Sequence, residues 1–163
     1  MRSILRIQDA ITWAGFMLGA TALGAIVVIY TFEVISRYAF GAPTMWASDF
    51  VSFLLLISVF ATGPWLTREG GHVAVTILPD MIPAARDAIL RAGFFVSALV
   101  CLWAGWICLG ENIYLFERGT VTLTTVRIPK WTLSVFITYG FLNSGLYFLR
   151  LAFAPPTPEA QNG

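Results

Sequence analysis

The stretch AITWAGFMLGATALGAIVVIYTF, residues 10–32, decides what kind of protein this is. It runs from Ala10 to Phe32 without a charged residue, and about 20 mainly apolar residues are enough for a helix to cross the hydrocarbon core of a bilayer. Arg2 and Arg6 precede it, as they would precede a signal peptide. The apolar core of such a peptide is about 7–15 residues long, whereas this run continues through Ile26-Val27-Val28-Ile29. The reading is a retained membrane anchor.

Three further stretches meet the same criterion. They run from about Trp46 to Leu66, from about Ala88 to Phe116 and from about Trp131 to Phe153. Asp49, Arg91, Glu111 and Arg150 are the ionisable residues within them, and each sits near a span end. Short connectors rich in Gly, Pro and charge separate the spans, among them Gly41-Ala42-Pro43 and Arg127-Ile128-Pro129. The expected fold is an all-α integral membrane protein, with four transmembrane helices in a compact bundle. The membrane domain takes in residues 1–154 and the polar, Pro-bearing tail is 155–163. Between spans two and three, Met81, Ile82, Ala85, Ala88 and Ile89 recur at helical spacing. That connector reads equally as a short interfacial helix or as a plain loop.

Composition supports the reading. Of 163 residues, 58% are hydrophobic and 12% charged, with mean hydropathy +0.77. A soluble domain carries about 25% charge, so too few charges remain to cover a water-facing surface. The net charge of +1 gives no field for nucleic acid. Cys101 and Cys108 are seven residues apart on one helix, about 10 Å of rise, which is too far for a disulfide between them. The single histidine, His72, does not supply paired haem ligands or a zinc set. No nucleophile–base pair or phosphate loop stands out, so neither enzyme chemistry nor a cofactor or metal is expected. The Lys and Arg count favours both termini in the cytoplasm. Arg2, Arg6, Arg68, Arg86, Arg91 and Arg150 fall on one side, against Arg37, Arg118, Arg127 and Lys130 on the other.

Small residues at four-residue spacing let membrane helices approach closely. Gly15, Gly19, Ala20 and Gly24 form such a run in span one, Gly93, Ser97, Cys101 and Gly105 in span three, and Gly140 and Ser144 in span four. Whether these ridges meet one another or a second protein stays open. Trp46, Trp65 and Trp131 suit interfacial anchoring. Trp103 and Trp106 lie too deep for that, and pack either within the bundle or against a partner. Arg37 and Asp49 end on the same side of a hairpin of spans one and two, where the leading expectation is a charge pair that fixes the hairpin and the alternative is a direct role in binding an ion or substrate. His72 reads as a polar anchor at the membrane surface, or as a contact to lipid headgroups or a partner. No span carries the mid-membrane acid or broken helix of a self-sufficient transporter. An autonomous four-helix exporter is the alternative reading, and Glu33 is the acid it would need.

The stretch from Arg37 to Asp49, RYAFGAPTMWASD, resembles the segment between the first two helices of the small membrane subunit of TRAP (tripartite ATP-independent periplasmic) transporters, the DctQ-type family. Gly63 through Arg68-Glu69-Gly70-Gly71-His72-Val73-Ala74-Val75 resembles the end of that family's second helix and the segment after it. Arg127-Ile128-Pro129-Lys130-Trp131 resembles its approach to the fourth helix. Two positions depart from the pattern: Thr76 stands where an acid is common, and Ser48-Asp49 where a Glu pair is common. The resemblance implies an accessory subunit in a bacterial inner membrane. Such a subunit packs as fixed scaffold on a large permease that performs sodium-coupled symport. A periplasmic binding protein delivers the solute, a dicarboxylate, sugar acid or other organic anion. Under that implication Arg37, Trp46, Asp49, Arg68, His72, Trp103 and Trp106 are candidates for structural or partner contact. Arg118, Arg127 and Lys130 are candidates for docking the binding protein electrostatically.

Overall fold

A computed structural model describes residues 2–69 and 86–153. The expectations placed on the connector after span two (a short interfacial helix, a role for His72) and on the tail 155–163 fall outside these residues. Four helices make up the described chain: α1 (Arg2–Phe40), α2 (Ala47–Arg68), α3 (Arg86–Arg118) and α4 (Lys130–Phe153). All four are long and apolar enough to cross a membrane. The chain is an all-α membrane bundle.

The helices differ in length in a systematic way. At 1.5 Å per residue, α2 with 22 residues and α4 with 24 span about 33–36 Å, close to the hydrocarbon thickness. With 39 and 33 residues, α1 and α3 reach about 58 and 50 Å and must tilt or project beyond it. Gly41 ends α1 at φ +60° and Gly119 ends α3 at φ +58°, the left-handed conformation that side chains resist. Past Gly41 the Ala42 N–H returns to the Ser36 carbonyl, and Ser36 Oγ donates to the Ala42 carbonyl at 2.6 Å.

Packing follows the order α1, α2, α4, α3, so that α2 and α4 are central and α1 and α3 are edges. Exposure shows the same arrangement. Beside half-buried Leu5, Asp9, Phe16 and Ala25, α1 carries a line of buried or half-buried positions at Gln8, Thr12, Gly15, Gly19, Ala22, Ile26, Ile29, Glu33 and Ser36. Their spacing alternates four and three, the seam by which left-handed helix pairs mesh. Most of the other apolar side chains of α1 face outward, with Phe16 an exception.

The small-residue ridges largely serve these internal seams. A Cβ on Gly15 would strike the Tyr139 hydroxyl and crowd the Ala61 carbonyl, one on Gly19 would strike the Thr62 methyl and crowd the Ser58 carbonyl, one on Gly105 would strike Leu142, and one on Gly145 would strike Leu102. Gly24 and Gly93 face open space. The closest approach to backbone is at Gly140, where a Cβ would lie 2.8 Å from the Phe60 carbonyl oxygen. That carbonyl is four residues before Pro64, which lies inside α2. Proline has no N–H to return, so the Phe60 carbonyl lacks its helical donor, and the bare Cα of Gly140 fills the vacated space.

Candidate partner-contact sites

At the end of the bundle where α1 and α3 finish, the first candidates separate into two pairs. Glu33 occupies the buried seam of α1, 8% exposed, and receives the guanidinium of Arg37 one turn later. Arg37 therefore does not pair with Asp49, contrary to expectation. An i, i+4 partner on its own helix is held within reach without any tertiary adjustment. Arg37 also lies in the last turn of α1, where a cation complements the helix dipole. Glu33, the acid an exporter would need, is engaged in this ion pair.

Asp49 lies in the first turn of α2. Its carboxylate accepts the Val126 N–H at 3.1 Å, from a segment 77 residues away. That segment, residues 119–129, folds back on itself between α3 and α4. Thr122 N–H donates to the Ile128 carbonyl and Lys130 N–H to the Thr120 carbonyl, each at 2.9 Å, with Val121 bridged to Pro129. The buried Thr122 side chain takes the Ile128 N–H at 3.0 Å and donates to the Val126 carbonyl at 3.0 Å. The basic candidates surround this hairpin. Arg118 lies over the Tyr114 ring at 4.7 Å. Arg127 and Lys130 are exposed and make no ion pair among the described residues. Trp46 serves the chain itself, stacked on Phe32 at 6.2 Å and edge-on to Phe50 at 5.7 Å, and so closes the α1–α2 hairpin.

At the opposite end Arg68 sits over Trp65 at 4.9 Å, and Trp65 stacks on Phe16 of α1 at 5.0 Å. The indole bridges α1 and α2 while the guanidinium points outward, a compact membrane-interface anchor.

Beside it lies a polar network that the sequence reading did not single out. Asn143 of α4 accepts from Gln8 Nε2 at 3.1 Å and donates to Thr12 Oγ1 at 2.8 Å. Tyr147 donates to Asp9 at 2.8 Å and also lies 3.1 Å from Thr12 Oγ1. Arg150 reaches Asp9 at 3.1 Å and Gln8 at 3.2 Å. The Tyr139 hydroxyl contacts the Ile11 carbonyl at 3.3 Å. The pattern was present in the spacing: Tyr139, Asn143 and Tyr147 are successive at four residues and face Gln8 and Thr12, also four apart. These side chains join the first turns of α1 to the last turns of α4, across a pair of helices that otherwise hardly touch. A second buried polar contact, Asn112 Nδ2 to Thr138 Oγ1 at 2.5 Å, joins α3 to α4.

Trp103 and Trp106 stand on the outer face of α3, 70% and 71% exposed. They do not pack within the bundle. With Val96, Leu99, Val100, Ile107 and Ile113 they form an apolar surface near the middle of the helix. Neither indole N–H has a hydrogen-bond partner among the described residues.

Residues 26–154 match the family described as "Tripartite ATP-independent periplasmic transporters, DctQ component". The chain is also 23% identical over 121 residues to the ectoine TRAP transporter small permease protein TeaB of Halomonas elongata. That similarity covers 74% of this chain and 62% of the relative, so the chain spans less than two thirds of the relative's length.

Proposed function

Because this chain belongs to the DctQ component family of the tripartite ATP-independent periplasmic transporters, we propose that it is the small, stationary membrane subunit of a solute-uptake complex in a bacterial inner membrane. Its partners on this reading are a large permease that carries the solute in symport with sodium, a periplasmic binding protein that delivers it, and the surrounding lipid. The solute is an organic acid or similar small organic compound, and its identity resides in the other subunits. Both termini lie in the cytoplasm, which puts the 119–129 hairpin in the periplasm with Arg118, Arg127 and Lys130.

The observation that carries this reading is the outward position of Trp103 and Trp106. An indole N–H at mid-bilayer with no acceptor is costly in hydrocarbon, and Trp is favoured where a partner supplies that acceptor and buries the ring. The ion pairs sit at the span ends, and a large apolar face is left over. Such a protein can stiffen a neighbour, and a domain that moves solute needs something fixed to move against.

The test is co-purification in mild detergent. Trp103→Ala with Trp106→Ala is expected to reduce recovery of the large permease by about tenfold or more, as when interface aromatics are truncated. Outward-facing Leu23→Ala on α1 serves as the control. Full recovery with the double variant would remove α3 from the interface.

A further inference from the structure

The hairpin between α3 and α4 has a feature that packing in the bilayer does not require. Thr122 and Thr124 hydrogen-bond within its backbone, yet Leu123 projects from its tip 97% exposed. Thr122 beneath it is buried, and Thr124 Oγ1 beside it donates to the Val126 carbonyl at 2.8 Å. The leucine therefore stands on a braced base rather than a slack loop. The base is in turn tied to α2, because the Val126 N–H ends on the Asp49 carboxylate.

The hairpin's place in the bundle argues against lipid as the cover for Leu123. Glu111, Glu117 and Arg118 occupy the last turns of α3, and all are exposed. Charges there bring that stretch into the headgroup layer, and Glu111 to Arg118 spans about 10 Å of helix. The hairpin begins beyond them, flanked by Arg118 and Lys130.

We propose that this hairpin is a preformed plug for the soluble binding protein. Leu123 enters an apolar socket on that protein, Arg127 and Lys130 meet acidic groups at the socket's rim, and Asp49 is the positioning residue that holds the hairpin as a hydrogen-bond acceptor. The proposal rests on the reading that a binding protein visits this end of the complex. Preorganisation is the physical advantage: a hairpin already held in shape loses little conformational freedom on docking.

The test uses the reconstituted complex of this chain with its large permease in liposomes, with uptake measured against the concentration of binding protein. Leu123→Asp and Asp49→Ala are each expected to raise the half-saturating concentration about tenfold, the loss expected when a central anchor is truncated. The saturating rate and the recovery of the permease should change far less. Asp49→Asn should restore docking, because an amide oxygen also accepts the Val126 N–H. Unchanged half-saturation in both Leu123→Asp and Asp49→Ala would overturn the proposal. An Asp49→Asn variant as impaired as Asp49→Ala would overturn the acceptor role in favour of the carboxylate's charge. A fluorophore on Leu123→Cys, in a Cys101→Ser, Cys108→Ser background, should respond to binding protein. A response to protein-free lipid bilayer alone would assign the tip to the membrane surface and overturn the docking role. Uptake that persists when this chain is omitted would instead remove the accessory-subunit reading on which the plug depends.

Discussion

Asn143 shows what one polar side chain does inside a membrane bundle. Its amide holds Gln8 and Thr12 and touches the Tyr139 hydroxyl at 3.3 Å, so four polar groups share one satisfied network. Asn143→Leu removes the acceptor of the Gln8 amide and one contact each from Thr12 and Tyr139. The expected cost is about 1–2 kcal/mol, the upper range for hydrogen bonds between membrane helices, read from unfolding of the purified chain in mixed micelles. Glu33 and Arg37 are a different case. Arg37→Ala leaves a carboxylate on a buried seam without its counter-charge and should cost about 1–2 kcal/mol, less than a fully buried pair because Arg37 is half exposed. Glu33→Gln with Arg37→Ala should recover much of that loss in the same unfolding measurement. Additive losses would show that the two residues act separately. Reading the sequence alone had matched Arg37 with Asp49, since hairpin geometry places them at one end. The winning partner was the nearer one, and Asp49 was left to a backbone N–H whose position only the folded hairpin reveals.

At the scale of the helix, sequence reading found the spans because lack of charge over about 20 residues has one physical explanation. It ended the first span at Phe32, whereas α1 runs on to Phe40. Glu33, Ser36 and Arg37 look like the end of a hydrophobic run, but they are compatible with a helix that continues through the headgroup region and keeps its seam. The small-residue ridges were visible, and their direction was not, because spacing says which residues share a face and nothing about what the face meets. The Gly140 contact depended on two distant facts: a proline in α2 that frees the Phe60 carbonyl, and a glycine in α4 at the same depth. Gly140→Ala is expected to cost about 1–3 kcal/mol, since its Cβ would press on backbone that cannot yield. Gly24→Ala meets open space and should be neutral or stabilising by up to about 1 kcal/mol. Thermal unfolding of both variants in one detergent checks the contrast.

Over the whole molecule, the order α1, α2, α4, α3 is not the order of the chain, and nothing in the sequence announces it. Asp9 lies just ahead of the first apolar run, and only the folded bundle brings Tyr147 and Arg150 against it. The lateral order also bears on how the protein is made. The third span leaves the ribosome with its main contact surface unmatched, since α3 packs chiefly on α4. At about 5–20 residues per second, the connector and last helix follow a few seconds later. Until then the Asn112 amide has no Thr138 to bind, and an unsatisfied amide in hydrocarbon marks a nascent chain as unfinished. The fourth span must then slot between two helices already inserted, and its arrival joins the third to the first two.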